Sequence, residues 1–168
     1  MKTPICSFDA KSGVLCSNCE SKLKSGDISQ DDFDASVKLT KLSDHISNFN
    51  NFTLVRGTKV GDDFVLVMRS SDIGSLRRNI DHVREIEKAF QRKIWFVESE
   101  ASDRTLLENL LHPAKVLNVN LFWLPDGNRL TKVTVSGREK PKINIDRVQQ
   151  IAKVLRNIDL IVDYDQNK

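Results

Sequence analysis

The chain has 168 residues, of which 39% are hydrophobic and 29% are charged, and its formal net charge is +3. This composition supplies enough apolar residues for a core and argues against wholesale disorder, and the length suits one ordinary domain or two very small ones. No run reaches the roughly 18 consecutive apolar residues of a membrane span, and the N-terminus lacks the apolar segment of a secretion signal. We therefore expect a cytoplasmic protein with no membrane partner.

The first 28 residues show little apolar periodicity, so the sequence predicts a small knuckle with loops over 1–28. This segment contains all three cysteines of the chain, Cys6, Cys16 and Cys19. Cys16 and Cys19 form a C-x-x-C pair, a spacing at which two thiolates can hold one zinc ion, and Cys6 is a candidate third ligand. A structural zinc site normally has four ligands. The fourth stays open among Asp9, the histidines His45, His82 and His112, and a group from another chain.

Two other interpretations of the cysteines also stay open. Reduced thiols without a metal would suit a cytoplasmic chain, and the odd number of cysteines argues against a disulfide framework. Redox activity would require the C-x-x-C pair to lie between a strand and a helix of a thioredoxin-like unit. That pattern is not visible in this sequence.

The remaining residues predict the same order of elements twice: a helix, two strands, a helix and a strand. Acidic residues in the first turn and a helical spacing of apolar residues mark the first helix, and alternation or short apolar runs mark the strands. The bounds predicted in the first half are a helix from Ser29 to near Asn48, strands at 52–56 and 63–68, a helical stretch ending at Phe90, and a strand at 93–98. Those predicted in the second half are a helix around Leu106–Leu111, strands at 115–123 and 129–135, a helix from Ile145 to Leu155, and a strand at 159–164.

This order predicts an α+β fold with two units in tandem, each a three-stranded sheet with helices on one face. The predicted divisions are the N-terminal knuckle over 1–28, a first unit over 29–100 and a second unit over 101–168. Adjacent aromatic residues, Trp95 with Phe96 and Phe122 with Trp123, lie in predicted strands. Because neighbouring strand residues face opposite sides, one member of each pair is expected in the core.

Basic charge is concentrated toward the C-terminus. Residues 128–156 contain eight basic and two acidic residues, whereas residues 1–50 contain six basic and seven acidic residues. A local surplus of this kind can neutralise phosphates even when the total charge of a protein is small. A solvated, lysine-rich surface is the alternative interpretation of this cluster.

One segment resembles a known nucleic-acid-binding motif. Ile73-Gly74-Ser75-Leu76-Arg77-Arg78-Asn79-Ile80 resembles the I-G-x-x-G-x-x-I segment of KH domains, with Arg77 in place of the second glycine. The resemblance implies a loop between two helices whose backbone contacts a phosphodiester, in a module that holds about four nucleotides of single-stranded RNA. It makes Gly74, Ser75, Arg77 and Arg78 candidate RNA-binding residues, with arginine binding phosphate through its planar fork.

Two further segments extend the resemblance over nearly all of the chain. The junction Leu110-Leu111-His112-Pro113-Ala114-Lys115-Val116-Leu117 resembles the link between the paired KH domains of NusA-type transcription factors. The repeated element order is that of type II KH domains. The cysteine-containing start resembles the N-terminus of archaeal NusA-like proteins with tandem type II KH domains and a Cys knuckle.

The second unit departs further from the KH pattern. Where the G-x-x-G loop would stand, the sequence has Ser136-Gly137-Arg138-Glu139-Lys140-Pro141-Lys142, without a second glycine at the family's spacing. We expect the standard phosphate contact to be lost here. A less specific basic contact is expected through Arg138, Lys140 and Lys142.

The resemblance implies a non-catalytic protein that binds single-stranded RNA and acts in transcription elongation or termination. The cysteine spacing adds the expectation of a structural zinc ion. The alternative is a protein–protein adaptor on a decayed KH scaffold, bound to RNA polymerase or to an RNA-processing factor. Enzyme activity is not expected, because no nucleophile or paired acid accompanies the scattered histidines.

Overall fold

A computed structural model describes residues 1–137 and 143–166 of the chain. The chain divides into two compact units, Met1–Glu100 and Ala101–Lys168. Each unit contains one three-stranded sheet together with helices, so the predicted α+β class is confirmed. None of the helices in the described ranges is long and apolar enough to cross a membrane.

The N-terminal segment is more helical than the sequence predicts. It forms two short helices, α1 (Ser7–Ser12) and α2 (Ser17–Ser25), where loops were expected. Each helix ends at a glycine in the left-handed region, with φ of 73° at Gly13 and 83° at Gly26. Helices this short have too few apolar positions to show a helical period, so the sequence pattern does not reveal them. A small buried cluster packs beneath them and consists of Ile5, Ala10, Cys19 and Ile28.

The third helix, α3, spans Gln30–Ser43 and begins where predicted because two residues cap it reciprocally. The Ser29 Oγ accepts a hydrogen bond of 3.1 Å from the backbone N–H of Asp32, and the Asp32 carboxylate accepts one of 2.8 Å from the backbone N–H of Ser29. This capping box stabilises the helix start. The helix ends earlier than the predicted end near Asn48, and a 3-10 turn at Phe49–Asn51 buries its phenylalanine completely.

The sheet of the first unit has the strand order β1-β2-β3, with β1 antiparallel and β3 parallel to the central β2. The strands are β1 (Leu54–Val60), β2 (Asp63–Met68) and β3 (Ile94–Glu98). Two helices, α4 (Ser70–Arg78) and α5 (Ile80–Phe90), connect β2 to β3. Apolar residues from the strands and from α3, α4 and α5 form one core, which includes Leu39, Leu54, Leu66, Leu76 and Ile86.

The second unit has the same strand arrangement, with the order β4-β5-β6, an antiparallel pair and a parallel pair. Its elements are α6 (Asp103–Leu111), β4 (Val116–Trp123), β5 (Arg129–Ser136), α7 (Ile145–Arg156) and β6 (Asp159–Asp165). All three strands lie within one residue of their predicted bounds. The central strand β5 alternates between buried and half-buried side chains, as a strand covered by helices on one face does.

Candidate functional site

Four side chains of the N-terminal segment lie close enough together to bind a metal ion. The ligand atoms of Cys6, Asp9, Cys16 and Cys19 all lie within 4.8 Å of one another. Each of the two short helices contributes two of these side chains, from equivalent positions at its start. Each helix has a cysteine at its N-cap (Cys6 or Cys16) and the second ligand residue three positions later, in the first turn (Asp9 or Cys19).

Asp9 is the fourth member of the cluster. Its side chain is 0% exposed, and its Oδ2 accepts a hydrogen bond of 2.9 Å from the backbone N–H of Cys16. Its Oδ1 is buried without a hydrogen-bond partner among the described residues. A buried carboxylate oxygen in this state costs free energy, and a bound cation would supply the missing partner.

The hydrogen bond from the Cys16 N–H is the main reason why the pKa of Asp9 lies at about 2, below its ordinary value of 3.8. Burial opposes this shift, and the nearby thiols of Cys19, Cys16 and Cys6 add to it. The carboxylate is therefore ionised at neutral pH, which is the form that binds a metal.

The three thiols differ in their surroundings. Cys6 is exposed, Cys16 is half-buried, and Cys19 is 1% exposed. A backbone hydrogen bond from Cys6 favours the Cys19 thiolate, but burial and the neighbouring Asp9 and Cys16 outweigh it and raise the pKa of Cys19 to about 12. Without a metal, Cys19 is thus held as a thiol.

The geometry fits a four-coordinate ion. The sulfurs of Cys6 and Cys16 lie 4.0 Å apart, and the Cys16 sulfur also accepts the backbone N–H of Cys19 at 3.5 Å. In a tetrahedral zinc site, bonds of about 2.3 Å to sulfur imply sulfur–sulfur separations of about 3.8 Å. Three sulfurs and one carboxylate oxygen within 4.8 Å of one another supply four donors of kinds that zinc accepts. None of the three histidines belongs to the cluster.

The sequence contains a second pattern that points to Asp9. Cys6-Ser7-Phe8-Asp9 has the same spacing as Cys16-Ser17-Asn18-Cys19, so the chain carries C-x-x-D followed by C-x-x-C. Sequence alone left Asp9 as one of several possible fourth ligands. The folding of both motifs into matching helix starts places Asp9, and none of the three histidines, beside the sulfurs.

The KH-like segment of the first unit is placed differently from the expectation. Gly74 and Ser75 lie inside helix α4, not in a loop between two helices. The two helices instead meet at Asn79, whose side-chain oxygen accepts the backbone N–H of His82 and so caps α5. The glycine is typical of a loop, which is what the resemblance predicts for this segment. The segment is helical because Ile73 and Leu76 are both buried, at a spacing that places them on one face of a helix.

Arg77 and Arg78 lie in the last turn of α4 and differ in exposure. Arg77 is half-buried, and its guanidinium donates to the backbone oxygen of Phe96 at 3.5 Å. Burial lowers the pKa of Arg77, and the charge of Glu98 opposes this shift. Arg78 is exposed, and its guanidinium lies 3.4 Å from the Ser75 hydroxyl. Of the two arginines, Arg78 is the one that presents its charge to solvent.

The three basic candidates of the second unit, Arg138, Lys140 and Lys142, lie outside the described residues. The aromatic pairs are described. Phe96 is buried and Trp95 donates its indole N–H to Asp63 at 3.0 Å, which fits the expectation for that pair. The expectation is wrong for the other pair, because Phe122 is 47% and Trp123 is 69% exposed. Both lie at the end of the outer strand β4, most of whose side chains are exposed.

Comparison with known proteins gives a distant structural likeness only. No family model matches the chain, and no curated protein matches it. Among solved structures, the crystal structure of a protein named APE1850 matches with 15% sequence identity and a TM-score of 0.48. The match covers 68% of this chain and 88% of that chain. At this level the similarity assigns no function.

Proposed function

We propose that Cys6, Asp9, Cys16 and Cys19 hold one structural zinc ion. The observation that carries this proposal is the cluster itself, in which the three sulfurs and a carboxylate oxygen of the buried Asp9 lie within 4.8 Å of one another. The local core is small, and a structural metal commonly compensates for a small core. When bound, the ion would link the first turns of α1 and α2. Because α1 contacts α3, this link would also connect α2 to the rest of the first unit.

Metal analysis of protein purified without chelator tests this proposal. We expect about one zinc ion per chain for the natural sequence and a loss of metal for Cys19→Ser. Asp9→Asn, which keeps an acceptor for the Cys16 N–H but removes the charge, should weaken zinc binding by about tenfold or more. Ser17→Ala is the matched control, because Ser17 is exposed in the same helix and outside the cluster. Metal-free natural protein, or zinc retained by Cys19→Ser, would contradict the proposal.

We also propose that the first unit is a KH-type module that binds single-stranded RNA, and that the protein acts in transcription as NusA-like proteins do. The supporting observation is the helix junction at Asn79, where α4 ends with the exposed Arg78 and α5 begins. Guanidinium groups bind phosphate oxygens through paired hydrogen bonds, and the start of a helix favours anions. The element order around this junction agrees with the resemblance found in the sequence.

Charge reversal at the junction tests RNA binding. Arg78→Glu should weaken binding to a randomised single-stranded RNA by about tenfold and make its salt dependence shallower. Arg84→Glu is the matched control, since Arg84 is also exposed, lies on α5 and undergoes the same change in charge. Arg77→Glu is a poorer test because Arg77 also contacts β3. Equal losses for both variants would contradict a specific role for Arg78, and absence of RNA binding by the natural protein would favour the adaptor alternative.

A further inference from the structure

The outer strand of the first sheet is covered along its free edge. The backbone N–H of Leu54 donates to the carbonyl of Lys2 at 2.9 Å, that of Gly57 to Asp32 at 2.7 Å, and that of Lys59 to Asp31 at 2.9 Å. These three contacts come from the N-terminal segment and from the start of α3. They satisfy the amides that a further strand would otherwise pair with, and so they block addition of another strand to β1.

Among the residues that the structure describes, the corresponding outer strand of the second sheet, β4, has no such cover. Leu124 donates its backbone N–H to Asn128 at 2.8 Å across the hairpin. In an antiparallel pair, every second residue of a strand forms backbone hydrogen bonds with the neighbouring strand. Because the backbone N–H of Leu124 points toward β5, the N–H and C=O groups of Val119, Leu121 and Trp123 point away from β5, toward the free edge. Within the described residues, no side chain or backbone group caps these three amides.

The side chains of β4 also lack the features that usually prevent edge pairing. From Val116 to Leu124 the chain contains no charged residue and no proline. Leu121 is 52% exposed and Trp123 is 69% exposed, and both lie on the same face of the strand as Val119. Soluble proteins normally protect an exposed apolar edge with lysine, proline or a cover, because such an edge pairs with other chains. The β-bulge between Val116 and Asn118 leaves the remainder of the strand regular.

We propose that β4 pairs antiparallel with β4 of a second copy of this chain, joining two three-stranded sheets into one of six strands. A two-fold axis at Leu121 would set this residue against itself and Val119 against Trp123 of the second copy. Every pair on that face is then apolar, so the strand is complementary to itself. The exposed Lys115, just before the strand, would lie beside the turn that carries the exposed Asp126 of the second copy. The two-fold axis would form this pair of opposite charges twice, once at each end of the paired strands. Because the strand between the two pairs is uncharged, a second copy is favoured over a charged partner.

Sedimentation velocity of the full chain tests the proposal independently of zinc or RNA binding. Between about 1 and 200 µM, a range suited to an interface of modest strength, the mass should rise from 19.1 kDa toward twice that value. Leu121→Lys and Leu121→Asp should each remain monomeric, because like charges would face each other across the axis. An equimolar mixture of these two variants should associate again, because the introduced charges are then opposite.

Val154→Lys is the control, because Val154 is a similarly exposed apolar residue (58%) on helix α7 of the same unit. This variant should dimerise as the natural protein does. The proposal is overturned if the natural protein stays monomeric at every concentration, if the mixture of Leu121 variants does not associate, or if Val154→Lys dissociates the dimer equally. Circular dichroism of each variant verifies that the fold is retained.

Discussion

The Oδ1 atom of Asp32 accepts a hydrogen bond of 2.7 Å from the backbone N–H of Gly57. The other oxygen of the same carboxylate accepts the backbone N–H of Ser29 in the capping box of α3. One buried side chain, 2% exposed, therefore satisfies two backbone donors that are 28 positions apart in sequence and belong to different elements. Asp32 joins the start of α3 to the outer edge of β1.

Replacement of Asp32 should destabilise the first unit. Asp32→Ala removes part of a helix cap and leaves the Gly57 N–H buried without a partner, so we expect the free energy of unfolding to fall by about 2–3 kcal/mol. Urea unfolding, monitored by the fluorescence of Trp95 in a Trp123→Phe background, reports on this unit alone. Asp34→Ala is the control, because within residues 1–137 and 143–166 the Asp34 side chain accepts a hydrogen bond from the exposed side chain of Gln30 alone. Equal effects of the two changes would argue against the role of Asp32.

Gly57 is restricted by space. A Cβ at this position would lie 2.8 Å from the Cβ of Ala35 and 3.0 Å from a ring carbon of Phe64, both closer than normal contacts. Gly57→Ala should therefore destabilise the first unit by about 1–3 kcal/mol in the same unfolding assay.

Gly74→Ala should have the opposite effect on the stability of the first unit. Gly74 lies inside helix α4 with nothing within 4 Å of its Cβ position, so alanine should stabilise the unit by about 0.5–1 kcal/mol.

The lowered pKa of Asp9 predicts a specific pH dependence in metal-free protein. Because the pKa is about 2 in the folded state and ordinarily 3.8, the ionised carboxylate stabilises the fold fully above pH 3.8. This contribution is lost as the pH falls from 3.8 through 2. We expect the difference in unfolding free energy between the natural protein and Asp9→Asn to shrink over this window. A carboxyl carbon NMR titration of Asp9 measures the pKa directly, and a midpoint near 3.8 would contradict the prediction.

The three thiols should react at different rates once the metal is removed. In chelator-treated protein, exposed Cys6 should be alkylated first, and Cys19 last, because Cys19 is 1% exposed and has a pKa of about 12. Timed treatment with iodoacetamide and peptide mass spectrometry would establish the order. Addition of zinc should protect all three thiols, whereas magnesium, which prefers oxygen ligands, is the control and should protect none. Early alkylation of Cys19 would show that the N-terminal segment opens without metal.

Local patterns in the sequence predict most of the architecture. The strand bounds of the second unit follow from alternation of polar and apolar residues, and the start of α3 follows from Ser29 with acids in the first turn. The cysteine spacing alone marks the metal candidates. These predictions succeed because strand alternation, helix capping and ligand spacing depend on residues within a few positions of one another.

The tertiary structure decides what depends on distant residues. It places Asp9 beside the three cysteine sulfurs, because two short helices without apolar periodicity bring these residues together. It places Gly74 inside a helix, because Ile73 and Leu76 of the same segment are buried in the core. It also exposes Phe122 and Trp123, since β4 lies at the edge of its sheet. The sequence by itself thus determined the strands and the capped start of α3, and it marked the three cysteines as candidate metal ligands. Only packing between elements decided which side chains meet and which strand edge remains open, because these depend on contacts between residues far apart in the chain.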